Sequence, residues 1–183
     1  MSITTKKGDN GFTGLPGVEG RVRKDDLRIE CLGLLDELGA FLADTGVVLS
    51  ANKKNPSPVE IIDAVQRELS GVLGAFGGAA APEEKPKAAK GSRQKETADS
   101  PPTTAQCEKW IAALEQERPL LGFIRRWENP GAIKLNITRT ICRRAERCMA
   151  GLSIADPGYL PLLAWLNRLS DLLFLLAAAE EQN

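Results

Sequence analysis

The chain has 183 residues, a mass of 19.8 kDa and a formal net charge of zero, with 24 basic and 24 acidic side chains. This length predicts a single domain over residues 1–183, and the neutral charge argues against nucleic acid or a membrane surface as a partner. The sequence contains no histidine. That absence excludes Ser-His-Asp and Cys-His nucleophiles and any histidine-bound metal, so we expect no metal site built from protein ligands.

Four cysteines, Cys31, Cys107, Cys142 and Cys148, are spaced without a CxxC pair. This spacing argues against a zinc site or a thioredoxin-like motif. We expect all four to be reduced, buried small apolar residues of a cytoplasmic protein. The N terminus has no apolar stretch behind its lysines, and no run of about 18 apolar residues occurs, so neither a signal peptide nor a membrane span is expected.

The first 24 residues are rich in glycine, which recurs at every third position and predicts a loop rather than a helix. Helical spacing begins after the acidic pair Asp25-Asp26, which suits a helix N terminus. The apolar pattern continues to about Asp44. We expect residues 46–56 to be a connection.

A second helix is predicted from its start signal, Ser57-Pro58-Val59-Glu60, in which a capping box surrounds a proline of the first turn. Glycines near Gly78 should end it. Residues 78–105 contain no large apolar side chain, so they are predicted to form a disordered internal linker. A short third helix around Trp110 should end before Pro119.

Two long helices complete the prediction. Asn129-Pro130 repeats the cap-then-proline start and opens a fourth helix to about residue 152. Its expected apolar side holds Ile133, Ile137, Ile141, Ala145, Cys148 and Leu152. Asp156-Pro157 opens the last helix, which has a wide leucine face. Strand patterns are nearly absent. The predicted fold is therefore all-α, an antiparallel helical bundle of four long helices plus a short one, preceded by a glycine-rich N-terminal loop.

Both long C-terminal helices carry polar faces that a bundle does not require. By helical spacing the fourth helix aligns Asn136, Arg139, Arg143 and Arg147. That face is interpreted either as a solvated surface or as an anion site, because arginine binds phosphate through planar, bidentate donors. The last helix aligns Asn167, Ser170, Asp171 and Phe174. Those residues either form interhelical hydrogen bonds or belong to a site.

Four segments in the order TKKGDNGFTGL, EGRVRKDDLRIECLGLLDEL, TRTICRRAER and WLNRLSDLLFLLA resemble the PduO-type ATP:corrinoid adenosyltransferases. The resemblance covers about residues 3–45 and 120–180. It implies a helical bundle that assembles as a homotrimer and binds ATP between neighbouring subunits. It also implies transfer of the 5′-deoxyadenosyl group of ATP to the cobalt of reduced cobalamin, giving adenosylcobalamin and triphosphate. Co(I) is already a strong nucleophile, so this reaction needs no histidine base.

The resemblance also implies the site residues. The triphosphate would be wrapped by the loop over residues 1–24 and held by Thr5, Lys6, Gly8, Asp9, Gly11, Thr13 and Lys24. The nucleotide would also meet the two C-terminal helices at Arg143, Arg144, Glu146 and Asn167. Mg²⁺ would be held mainly by phosphate oxygens, with few protein ligands.

Two further roles follow from the same resemblance. Arg139 would pair with Asp36 across the subunit interface, and Phe123 would lie beneath the corrin ring. A corrinoid reductase or an adenosylcobalamin-dependent enzyme is a further expected partner.

One segment departs from the family pattern. The family usually reads FILPGG, and without a gap its Pro-Gly-Gly falls here on Arg126-Trp127-Glu128, while Asn136 stands where histidine is common. This departure motivates an alternative function, an ATP-binding homologue with altered or lost corrinoid activity. A bundle without any ligand is the remaining alternative.

Overall fold

The computed structural model describes residues 4, 6–15, 18–51, 57–78, 104–120, 122, 124 and 126–182. Over these residues the helices are α1 Leu27–Ala51, α2 Ser57–Gly78, α3 Thr104–Glu117, α4 Pro130–Ala155 and α5 Leu160–Glu181. A short antiparallel hairpin, β1 Phe12–Thr13 and β2 Val22–Arg23, precedes them. The all-α prediction is confirmed, with four long helices and the shorter α3. The predicted linker falls mostly on residues 79–103, which lie outside the described residues, while Thr104 and Ala105 at its predicted end are already helical.

Helix α1 begins where the acidic pair predicted. The backbone N–H of Arg28 donates to the Asp26 carboxylate at 2.9 Å, and the Arg28 guanidinium forms an ion pair with it at 2.7 Å. These hydrogen bonds to Arg28 lower the pKa of Asp26 to about 2. Asp26 therefore caps the helix in its charged form over the whole neutral range.

The predicted end of α1 at Asp44 was wrong, because the helix continues to Ala51 through the first part of the predicted connection. Residues 52–56 of that connection lie outside the described residues. Its last turns are held by burial: Thr45, Gly46 and Leu49 are all buried. A Cβ atom at Gly46 would lie 3.7 Å from Ile62 of α2, an ordinary van der Waals distance, so Gly46 lies in the contact between α1 and α2 and does not end the helix.

The bundle is organised around the contact between α4 and α5. Helix α1 packs on α4, α2 on α1, and α3 on α5. The core is rich in leucine, and the indole of Trp165 is fully buried with its Nε1 donating to Glu68 of α2 at 2.9 Å. Within the described residues the stretch Pro157–Glu181 is long and apolar enough to cross a membrane. Most of its leucines are buried in this core, which accounts for the apolar character of the helix.

The buried face of α4 matches the predicted one in its second half, where Ile141, Ala145 and Leu152 are buried, and differs from it in the first half. Ile133 and Ile137 are 37% and 38% exposed, whereas Leu135 and Thr138 are fully buried. The hydroxyl oxygens of Thr138 and Thr45 lie 2.7 Å apart and share a hydrogen bond between α4 and α1. An apolar pattern cannot detect this pair, because a buried threonine depends on a partner from another helix.

The expectation that all four cysteines are reduced was wrong for two of them. Cys31 of α1 and Cys148 of α4 form a disulfide with their Cα atoms 5.7 Å apart. The two positions are 117 residues apart in the sequence, so only the helix packing reveals the pair. Cys107 and Cys142 are free and buried, as expected. Burial raises the pKa of Cys107 to about 12 and raises that of Cys142 as well, so both remain protonated thiols.

The start of α4 confirms the predicted cap. The Asn129 side chain accepts hydrogen bonds from the backbone N–H groups of Gly131 at 2.8 Å and Ala132 at 3.3 Å. Its amide donates to the carbonyl oxygen of Glu180 at 2.9 Å, at the end of α5. The cap therefore also joins the beginning of α4 to the end of α5.

Candidate functional site

The N-terminal hairpin brings several of the predicted triphosphate residues together. Gly11 adopts a φ of +81°, and its carbonyl oxygen accepts a hydrogen bond from the backbone N–H of Lys24 at 2.9 Å. A Cβ atom at Gly8 would stand 3.1 Å from Lys24 Nζ, so the lysine ammonium packs closely over Gly8. The result is an ammonium group beside exposed loop backbone, which suits an anion.

The other predicted loop residues surround this contact. Thr13 lies on β1 opposite Val22, and Lys6 and Asp9 are exposed on the loop, Lys6 with a φ of +56°. Thr5 lies outside the described residues. The two strands make their main contacts with each other, and Leu15, in the loop that joins them, is buried.

A second cluster joins α4 to α5. The Asn167 amide donates to Glu146 Oε1 at 2.9 Å, and Arg143 Nη1 lies 3.1 Å from Glu146 Oε2. Among the described residues, that Oε2 atom is buried and accepts no well-aligned hydrogen bond. The sequence spacing aligned Arg143 and Asn167 with the polar faces of α4 and α5, and the structure brings both side chains to Glu146. Arg144 pairs instead with Glu37 of α1.

A cleft of about 380 Å³ opens between α3, α4 and α5. Its apolar wall consists of Ile111, Leu120, Phe174 and Leu175. Its polar wall includes Arg139, Arg143 and Asp171. An apolar recess with two arginines on one side can take a flat apolar group while its arginines meet an anionic one.

Two contacts with residues of the same chain position the Arg139 side chain. Its Nε donates to Asn136 Oδ1 at 2.9 Å, and its guanidinium carbon lies 5.9 Å from the centre of the Phe174 ring. Asp36, its predicted partner, is exposed on α1. Within the described part of the chain no hydrogen bond or ion pair joins Asp36 to Arg139, so the pairing across a subunit interface stays a prediction.

The sequence prediction missed an aromatic contact at the edge of the cleft. The ring of Trp127 stands perpendicular to that of Phe174, with the ring centres 6.1 Å apart. Phe123, the residue predicted to lie beneath the corrin ring, is outside the described residues. In the sequence, the segment around Trp127 stands out because it departs from the family pattern. The sequence did not predict that Trp127 contacts Phe174.

The comparisons with known proteins agree on one family. A family model described as cobalamin adenosyltransferase matches residues 3–180. The chain is 35% identical over 176 residues to a cobalamin adenosyltransferase of Cupriavidus metallidurans, covering 96% of this chain and 85% of the relative. It is 34% identical over 184 residues to a corrinoid adenosyltransferase of Bacillus subtilis, covering 100% of this chain and 87% of the relative.

A similar solved structure is a variant of the PduO-type ATP:corrinoid adenosyltransferase from Lactobacillus reuteri, complexed with cobalamin and ATP. It matches with a TM-score of 0.72 at 25% identity and covers 100% of this chain and 93% of that one.

Proposed function

The chain belongs to the cobalamin adenosyltransferase family, and we infer that its hairpin and cleft carry out that family's reaction. The enzyme transfers the 5′-deoxyadenosyl group of ATP to the cobalt of reduced cobalamin, giving adenosylcobalamin and triphosphate. The observation that carries the assignment of residues is the position of Arg143. It lines the apolar-walled cleft and also belongs to the polar cluster with Glu146 and Asn167.

The nucleotide side needs a site for a highly charged leaving group. Co(I) attacks the ribose 5′ carbon, the cobalt–carbon bond forms, and the carbon–oxygen bond to the triphosphate breaks with its electron pair. Negative charge therefore grows on the triphosphate, where Lys6, Lys24 and Arg143 would stabilise it. The nucleophile carries no proton, so the reaction uses no general base. We propose that ATP enters with Mg²⁺ held mainly by its phosphate oxygens.

The corrinoid side is proposed to be the apolar wall of the cleft. Leu120 lines this wall, and the segment that follows Leu120 contains Phe123 and Trp127. A flat, largely apolar ring fits such a wall, and positioning it against the nucleotide is the main task left to the protein. The alternative, an ATP-binding homologue without corrinoid activity, is less favoured, because a similar structure carries both cobalamin and ATP.

We propose a homotrimer with ATP between subunits. Two features support it: the strands of the hairpin make their main contacts with each other rather than with the helices, and Ile133 and Ile137 leave an apolar strip partly exposed on α4. Since association buries such strips, they mark candidate subunit contacts.

We also propose that the protein works in the cytoplasm, because the reaction needs ATP and cobalt in its most reduced state. A corrinoid reductase is the proposed partner that supplies this reduced cobalt.

An anaerobic assay tests the function. Purified protein, ATP, Mg²⁺ and chemically reduced cob(I)alamin are mixed, the loss of Co(I) absorbance is followed, and the product is identified. The wild type should form adenosylcobalamin, and Arg143→Ala should be about 10- to 100-fold slower, because a charge-assisted contact to phosphate is worth about 1.5–3 kcal/mol. Arg67→Ala, which removes an exposed arginine of α2, is the matched control and should be unaffected.

The same samples separate the alternatives. ATP should raise the melting temperature of the wild type, because a ligand that binds only the native state stabilises it. ATP stabilisation without turnover would favour the homologue that lacks corrinoid activity. Absence of both would favour a bundle without a ligand.

A further inference from the structure

The segment between α3 and α4 carries a tryptophan, Trp127, at the edge of the cleft. Trp127 is partly buried against the core, and its ring meets Phe174 edge to face at 6.1 Å. Phe174 in turn lines the cleft. We propose that Trp127 is a positioning residue for the corrinoid: it holds the Phe174 ring in place and so sets the shape of the apolar wall. This inference rests on the proposed function.

The backbone next to Trp127 is fixed by the last turn of α5. The Glu181 carboxylate accepts hydrogen bonds from the backbone N–H of Glu128 at 2.9 Å and of Asn129 at 3.1 Å. Phe174 lies on the same helix, seven residues before Glu181, which is about two turns. Trp127 and Phe174 are thus attached to one rigid element, and their ring contact has little freedom to slide.

The Phe174 ring has a second neighbour, the Arg139 guanidinium, whose carbon lies 5.9 Å from the ring centre. Edge-to-face and cation–π contacts both depend on the orientation of the ring. Trp127 therefore acts on two members of the cleft wall, Phe174 directly and Arg139 through it. The proposed triphosphate contacts at the hairpin and Arg143 do not include this ring.

The inference predicts different effects on the KM values of the two substrates, and this difference is the test. We expect Trp127→Ala to raise the KM for cob(I)alamin about tenfold, the loss expected for one aromatic pair with the packing around it, while the KM for ATP stays within about twofold. Trp127→Phe should recover most of the wild-type KM, because it keeps an aromatic edge beside Phe174. Trp127→Leu keeps buried apolar volume and serves if the alanine variant does not fold.

The matched control is Trp110→Ala, which removes a partly buried tryptophan packed on the same core from α3. It should lower the melting temperature as Trp127→Ala does, without raising the KM for cob(I)alamin selectively. An equal rise of both KM values in Trp127→Ala would overturn the inference, because it would indicate a general structural role.

A double-mutant cycle tests whether Phe174 transmits the effect. In a Phe174→Leu background, Trp127→Ala should add less than about twofold to the KM for cob(I)alamin. A full, additive tenfold effect would contradict transmission through Phe174. A wild-type enzyme that forms no adenosylcobalamin would refute the proposed function itself, whereas an active wild type with an unaltered Trp127→Ala variant would refute only this inference.

Discussion

Glu146 connects the two residues on which the nucleotide assignment depends. Its carboxylate accepts a hydrogen bond from Asn167 through one oxygen and lies 3.1 Å from an Arg143 nitrogen through the other. The side chain is only 15% exposed, and leaving a buried carboxylate oxygen without an aligned donor costs free energy. Such a cost is common at sites whose hydrogen bonds are completed by a ligand. We therefore expect nucleotide binding to reorganise this group.

Replacing Asn167 tests whether this residue binds the nucleotide or only forms a hydrogen bond between α4 and α5. Asn167→Ala should raise the KM for ATP about tenfold, because it removes both a proposed nucleotide contact and the donor that orients Glu146. The measurement is steady-state kinetics with ATP varied at saturating cob(I)alamin, together with a thermal melt.

The control for Asn167→Ala is Thr45→Val, which breaks another buried polar contact, the one between α1 and α4. It should lower the melting temperature by roughly 2–4 °C, for a hydrogen bond worth about 1 kcal/mol, with the KM for ATP unaltered. If Asn167→Ala also changes only the melting temperature, Asn167 is an interhelical hydrogen-bonding residue and no more.

At the scale of elements, α4 is the helix on which the other parts converge. It packs along α5, it contacts α1 through the Thr45–Thr138 pair, and its disulfide to α1 lies just beyond the arginine motif. The hairpin leads directly into α1. The disulfide therefore stabilises the junction from which the proposed triphosphate loop extends.

The Cys31–Cys148 disulfide should stabilise the isolated, oxidised protein. Closing a loop with a sequence separation of 117 restricts the unfolded chain, and disulfides typically contribute about 2–4 kcal/mol. We expect a reductant to lower the melting temperature by at least about 4 °C. Cys31→Ser should melt near the reduced wild type and show no response to reductant.

Cys107→Ser is the control for this experiment, because Cys107 is a buried free thiol. It should retain the full response to reductant. Two titratable thiols in the unfolded, unreduced wild type would agree with the disulfide, and four would contradict it.

At the scale of the whole molecule, a substitution in the exposed isoleucine strip of α4 tests whether the protein is a monomer or the proposed trimer. Ile137→Arg should dissociate the trimer and reduce ATP use together, because a charge buried in a subunit contact is costly and the ATP site would lie between subunits. Light scattering coupled to size-exclusion chromatography gives the mass.

Ile154→Arg is the control, since Ile154 is an exposed isoleucine on the same helix but lies about 25 Å along α4 from Ile137, beyond the strip. It should leave both mass and activity unaltered. A monomeric wild type that is fully active would contradict the proposed assembly.

Much of the fold could be predicted from the sequence because its signals are local. The capping residues Asp26 and Asn129 mark helix starts through hydrogen bonds within a few residues. The spacing that aligned Arg139 with Arg143 likewise needs only helix geometry. The family resemblance, read from four motifs, is confirmed by the comparisons.

Other features depended on contacts between distant residues. The sequence by itself determined the helices, their order, the family and the polar faces, because each of these depends on residues that are close together in the sequence. Only the tertiary structure decided that α1 continues through buried Gly46, that Cys31 meets Cys148, and that Trp127 meets Phe174. The same holds for the exposure of Ile133. Burial and pairing are properties of the packed neighbours, and a periodic pattern along one helix contains no information about which neighbours those are.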